Sequence, residues 1–458
     1  MRPSGRGPHL SLPPFWDEEV RQTGPLILYS AFTGALAGLS VALLNLALRA
    51  LAEGVGGLFG YLAPEPPGEG GLLQAFTGPG LWPLAFLLPP LYALTSYLGT
   101  GQGLAALLRR VREGTPAPWL THPRAVLGGT LQIALYSPMG REGPFGVLGL
   151  WLGLLLDRRF PRLGGGLAFA GLAAGLGTAF HAPVAGALLA TEILYRSLLL
   201  EARALTPALI GALSGFAVYG AFFGYEPLLP FPVSLDVASL PAGLLLGVLA
   251  AALATLWTEG GKAVSAWLKP LPFPLRHALL GLALALALLF LPEALGNGLG
   301  WVAVATTPLL APWALLYLLL AKLLLLILAV GVRAYGGPFT PALVLGGLLG
   351  ALLSRLAGPF DLPAEALALA GGVAVLAGVA RAPFASLALA AEWGGYASLP
   401  LALPAVFLAY ALTPAHDPEE GLKEAPATPE GSPSETPPQS ERPPRGPEAA
   451  AGPETPPG

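Results

Sequence analysis

Glu142 stands in the run Gly140-Arg141-Glu142-Gly143-Pro144, between an apolar stretch ending at Tyr136 and an apolar helix expected from Phe145 to Leu156. A carboxylate at membrane depth is destabilising unless paired, hydrated or protonated, so its presence there points to function. A helix start offers it free N–H groups and the positive end of the helix dipole. The same N–H groups would hold a small anion whenever the carboxylate moved away. The competing reading is a plain helix cap in a loop outside the membrane. A second run, Gly336-Gly337-Pro338-Phe339-Thr340-Pro341, puts glycines where a backbone must approach an ion and a helix start directly after them. A Gly-Pro turn between two spans would look the same. In the third run, Gly99-Thr100-Gly101-Gln102-Gly103, Thr100 offers a hydroxyl at the head of a helix from Leu104, and by itself it reads as an ordinary loop.

The elements that must carry these runs are set by composition. Of 458 residues, 54% are hydrophobic and 11% charged, against about 25% charged in a soluble chain. Mean hydropathy is +0.65. Apolar stretches recur from about residue 24 to about residue 412, which predicts an all-α polytopic membrane protein seated in a lipid bilayer. The first twenty-odd residues are polar and Pro-rich without a signal-peptide pattern, so the first membrane segment is expected to stay attached. A net charge of −3 leaves no basic footprint for nucleic acid, and the absence of cysteine removes disulfides and thiol chemistry. High Arg, Ala, Leu and Pro against low Lys and Asn suits a prokaryote, bacterial or archaeal, and hence its cell (inner) membrane.

The chain divides into a polar arm (1–23), a first membrane repeat (24–225), a second membrane repeat (226–413) and a Pro/Glu-rich tail (414–458) expected to be disordered. Few apolar stretches are clean twenty-residue spans. Those at 125–137, 143–156, 164–176, 183–199 and 339–353 are short and broken by Gly or Pro. Broken helices are tolerated in lipid only where they face protein or a watery cavity, and in transporters they build the ion site. Gly171 to Glu192 overlays Gly371 to Glu392 at a constant offset of 200, pairing His181-Ala182-Pro183 with Arg381-Ala382-Pro383 and Glu192 with Glu392. Upstream, Gly143-Pro144-Phe145 pairs with Gly337-Pro338-Phe339. Two inverted-topology repeats of tilted, broken helices are therefore expected.

Enzyme chemistry finds little support. His9, His122, His181, His277 and His416 are far apart in sequence, so no helical His pair is available to a zinc protease, and no metal or cofactor site is expected. Ser214-Gly215 lacks the upstream Gly of a serine nucleophile turn, leaving an intramembrane protease as the distant alternative. The remaining polar residues take plain roles. His181 caps or packs before a helix, Glu53 and Glu69 sit in loops, Gly34 and Gly38 pack helices, and Lys322 snorkels to an interface.

The three runs, in this order and spacing, resemble the CLC family of chloride channels and chloride/proton antiporters. Gly140 to Pro144 matches that family's gating motif at all five positions. Phe339 and Pro341 match its second-half filter, Thr100 falls where the family has a central Ser, and Ala182–Gly186 matches a helix after the gate. The resemblance covers residues 24–413 and is to a prokaryotic member without regulatory C-terminal domains. It implies a homodimer with one pore per subunit, with Glu142 as gating glutamate and Thr100, Gly101, Arg141, Gly143, Phe339 and Thr340 around the anion. The gating carboxylate and the anion would compete for one amide-lined position, which couples chloride, or a similar small anion, to protons.

Four departures qualify that expectation. Ile193 follows Glu192 where proton-coupled members often carry a second Glu, leaving Glu192 as a structural acid. The family's C-terminal coordinating Tyr is absent, and Tyr410 lies within the last span rather than at the site. Pro338 removes one filter amide. Gln102-Gly103 replaces Ile-Pro. These predict a central site with fewer donors, and they keep an uncoupled chloride channel open beside proton exchange. Fluoride/proton exchange is disfavoured by the intact Gly-Arg-Glu-Gly-Pro.

Overall fold

Runs of Leu and Ala favour helix, and in lipid a helix satisfies its own backbone groups. The computed structural model describes residues 14–59, 81–98, 120–161, 165–193, 201–231, 240–357 and 362–414 and a few isolated positions between them, with side chains from Gly24 onward. Thr100, Gly101, Glu69 and residues 415–458 lie outside the described residues. The described chain is helical throughout. Its first half comprises α1 (Pro14–Phe59), α2 (Leu81–Leu98), α3 (Thr121–Ala134), α4 (Glu142–Arg159), α5 (Gly166–Phe180), α6 (Pro183–Glu192) and α7 (Ala202–Phe223). The second comprises α8 (Leu240–Leu268), α9 (Phe273–Phe290), α10 (Leu299–Thr306), α11 (Pro312–Val332), α12 (Phe339–Leu356), α13 (Ala364–Ala380), α14 (Pro383–Gly394) and α15 (Leu399–Leu412). Seven of these, α1, α2, α7, α8, α9, α11 and α12, are long and apolar enough to cross a membrane. The interrupted stretches of the sequence fall on α3 to α6 and on α12, with residues 194–199 outside the described residues.

The breaks have local causes. α5 ends at His181 and α13 at Arg381, both in left-handed backbone (φ 49° and 57°). Two residues later Pro183 and Pro383 open α6 and α14, where the missing N–H costs nothing and φ is already helical. His181-Ala182-Pro183 and Arg381-Ala382-Pro383 thus make the same corner in each half.

The repeat is also written in close helix contacts. A Cβ on Gly149 would strike the carbonyl of Gly171, and one on Gly153 that of Leu167. In the second half, Gly346 stands against Gly371 and Gly350 against Leu367 in the same way. The offset is therefore 200 for α5 and α13, but 197 for α4 and α12, where Gly149 answers to Gly346. This corrects the pairing of Gly143-Pro144-Phe145 with Gly337-Pro338-Phe339. Glu142, not Phe145, is the counterpart of Phe339, because the helix register follows the packing glycines rather than the Gly-Pro at each helix mouth.

α6 and α14 close one another. The Glu192 carboxylate accepts the N–H groups of Phe384 (2.9 Å) and Ala385 (2.7 Å), and Glu392 accepts those of Val184 (2.9 Å) and Ala185 (2.8 Å). Each acid at one helix end caps the start of the other helix, so the two lie antiparallel, as inverted repeats require. Glu192 has the structural role expected of it. Removing either acid strands two helix-start amides, each worth about 1–3 kcal/mol if left without a partner. Glu192→Ala and Glu392→Ala should both lower the thermal unfolding midpoint in detergent, with the Gln variants in between; a midpoint unmoved in both Ala variants would refute the cap.

Two placements differ from expectation. Glu53 lies exposed on the last turns of α1, not in a loop, since the helix runs on to Phe59. Lys322 is fully buried and does not snorkel. Gly34 and Gly38 pack α1 against α7 as expected, facing the carbonyls of Gly211 and Gly215.

Candidate functional site

After α3 the chain turns at Tyr136, in left-handed backbone (φ 66°), and bends at Pro138 and Met139 before reaching Gly140. There it meets the chain entering α12. Gly140 donates to the Gly337 carbonyl (2.8 Å) and Gly337 donates to the Gly140 carbonyl (2.7 Å), a single antiparallel bridge between the two motifs. The approach demands glycine. Gly336 has φ 134°, and a Cβ on Gly143 would fall 2.5 Å from the Gly337 nitrogen. The bridge brings the starts of α4 and α12 side by side.

Glu142 is the first residue of α4 and has no solvent exposure. Its carboxylate keeps a contact with its own backbone N–H at the start of α4. It also crosses to α12, where Oε1 accepts the N–H groups of Phe339 (2.8 Å) and Thr340 (2.9 Å). Oε2 accepts the Thr340 hydroxyl (2.8 Å). The carboxylate thus occupies a cradle of two amides and one hydroxyl at a helix N-terminus, with the chemistry of an anion site. Pro338 precedes the cradle and supplies no N–H; the Thr340 hydroxyl provides the third donor instead.

Aromatic rings stand beside the cradle. The Phe339 ring lies 6.5 Å from that of Phe180, whose carbonyl accepts Trp393 Nε1 (2.9 Å). Arg141 is buried, its guanidinium 5.8 Å from the Phe145 ring centre. Glu142, Arg141, Gly143, Phe339 and Thr340 are brought together; Thr100 and Gly101, outside the described residues, are not placed. Ile193 is buried directly after Glu192, and Tyr410 lies under the Arg381 guanidinium, 3.8 Å from its ring centre.

One supporting residue escaped the sequence reading. Gln132 on α3 donates to Thr95 on α2 (2.9 Å) and accepts the Tyr335 N–H (2.9 Å), while the Tyr92 hydroxyl donates to the Gln132 and Leu135 carbonyls (3.1 Å each). It ties both halves together just before the bridge. The available signal was a lone amide side chain in the apolar stretch 125–137, which must find partners once buried.

The model of the voltage gated chloride channel family matches residues 84–414. The H(+)/Cl(-) exchange transporter ClcA of Klebsiella pneumoniae (strain 342) is 27% identical over 344 residues, covering 68% of this chain and 71% of that protein. ClcA of Salmonella agona (strain SL483) is 28% identical over the same shares. Among solved structures, a slow cyanobacterial Cl−/H+ antiporter superposes with a TM-score of 0.73 at 22% identity, covering 85% of this chain and 94% of that one. A CLC-type fluoride/proton antiporter gives 0.71 at 24%, covering 85% and 95%. These likenesses show the fold, and the family match spans most of the membrane body. The chain belongs to the voltage gated chloride channel (CLC) family.

Proposed function

We propose that this protein carries chloride, or a similar small anion, across the membrane in exchange for protons, with Glu142 as the gate. The observation that carries the reading is the Glu142 carboxylate seated on the Phe339 and Thr340 amides and the Thr340 hydroxyl. An anion and an ionised carboxylate cannot share those donors. Protonation weakens the carboxyl's hold on them and lets the anion in. Gly143 and the bridge set the distance between gate and cradle, Arg141 adds positive charge beside the gate, and Thr100 with Gly101 completes the site from the first half.

The reading extends to a homodimer with one pore per subunit, in a prokaryotic cell (inner) membrane, built from repeats 24–225 and 226–413. Family membership supports ion transport over catalysis. ClcA relatives named as H(+)/Cl(-) exchangers support protons as the second substrate. Ile193, an apolar residue where an inner acid would relay protons, favours the second reading, an uncoupled anion channel. The intact Gly140–Pro144 run favours chloride over fluoride as cargo.

Reconstitution into liposomes tests this. A proton gradient is expected to drive chloride uptake against its own gradient. Chloride flux without proton movement selects the channel, and no flux of chloride, nitrate or fluoride by folded protein rejects transport.

A further inference from the structure

Lys322 sits in the middle of α11 with no exposed surface. Its Nζ donates to the carbonyls of Leu295 (2.9 Å) and Gly296 (2.7 Å). No acid among the described residues pairs with it. Two carbonyls need donors, not a charge, and a buried ammonium without a counter-ion is destabilising.

The ammonium lies close to the cradle. A Cβ on Gly298 would come 2.7 Å from Lys322 Nζ and 3.3 Å from Val344 Cγ1. Val344 stands one turn beyond Thr340 on the same face of α12. With a rise of about 1.5 Å per residue, this sets the ammonium roughly 10 Å from the donors that hold Glu142. The loop it grips also touches the gate, since the Gly296 N–H donates to the Tyr136 carbonyl (3.1 Å) where the chain turns toward Gly140. The cradle holds a negative charge whether carboxylate or anion fills it.

We propose that Lys322 is a positioning residue for the transported anion, a fixed positive charge set behind the start of α12 that raises anion occupancy of the cradle. The inference rests on the anion reading above. At roughly 10 Å and an effective dielectric of about 20, one unit charge changes anion affinity about tenfold.

The test is chloride binding by titration calorimetry to the purified full-length protein carrying Glu142→Gln, so that the carboxylate does not compete. Lys322→Gln keeps a donor and loses the charge, Lys322→Met loses both, and Lys322→Arg keeps both. A charge role requires Gln and Met to weaken chloride about equally, on the order of tenfold, with Arg close to the parent. A Gln variant that binds as the parent does, with Met alone impaired, overturns the proposal and leaves a structural brace. If neither neutral variant folds, parent and Arg variant are compared from neutral to alkaline pH. The parent must lose affinity where the amine loses its proton while Arg stays level; parallel curves overturn the proposal. His277 on α9, Glu293 in the turn 292–294, Glu259 and Lys262 on α8, Tyr335 after α11 and Arg355 on α12 are common to both proteins, so the difference between the curves reports residue 322. No chloride binding by the Glu142→Gln parent would defeat the anion reading itself, a distinct outcome.

Discussion

Glu142→Gln should produce a protein that still passes anions and no longer moves protons. The amide is nearly the shape of the carboxyl, so the bridge and the two helix starts stay as they are. What changes is the competitor, since charge-assisted hydrogen bonds are about twice as strong as neutral ones and a neutral amide cedes the cradle readily. Chloride affinity rises, and proton flux falls by a factor on the order of 10² or more, the range for deleting a proton-carrying group. The pH dependence has a definite sign. In the wild type, chloride occupancy climbs as pH falls, because protonation removes the competing charge; in the Gln variant the Glu142 contribution to that slope vanishes. Paired chloride and proton electrodes on the same liposomes read both fluxes. Undiminished proton transport in the variant would remove Glu142 from the mechanism.

Gly143→Ala should be the most damaging single methyl in the site. Its Cβ would fall 2.5 Å from the Gly337 nitrogen, and the nearest atoms it meets are all backbone of Gly336 and Gly337. The starts of α4 and α12 must separate, at a cost of about 1–3 kcal/mol in stability. A displacement of about 1 Å between gate and cradle reduces transport by a factor on the order of 10². Gly337→Ala supplies the contrast. There the new methyl would meet Glu142 Cγ and Cδ at 2.5 Å, a flexible side chain that moves aside. It should expel the carboxylate from the cradle without removing the acid, giving raised anion flux with loosened proton coupling at near-normal stability. Equal damage from the two substitutions would show that the bridge, not the seating of Glu142, governs the phenotype.

The class of fold was legible because a bilayer leaves few choices: an apolar chain with short, Gly- and Pro-broken runs must make helices that hide their ends. The His181 and Arg381 corners and the pairing of Glu192 with Glu392 could be read for the same reason, as each is a local rule repeated 200 positions on. Distances across the molecule were not legible. Glu142 was expected at its own helix start, and its carboxylate also serves a helix 197 residues away, because the Gly140–Gly337 bridge sets the mouths of α4 and α12 within a side chain's reach. Lys322 reads from its neighbours as a lysine bound for the interface. Nothing local announces the carbonyls of Leu295 and Gly296, which a loop presents from another part of the chain.

The exchange of caps between α6 and α14 also has a consequence for how the protein is made. Val184 and Ala185 leave the ribosome more than 200 residues ahead of Glu392, the acid that completes their helix. At about 5–20 residues per second, the first half waits on the order of ten to forty seconds with that helix start unsealed. It cannot settle into its final form in the bilayer until the second half inserts beside it with the opposite orientation. Assembly of the two halves is thereby one event, and a chain that stops before Glu392, or inserts its second half the wrong way up, leaves bare amides for quality control to find.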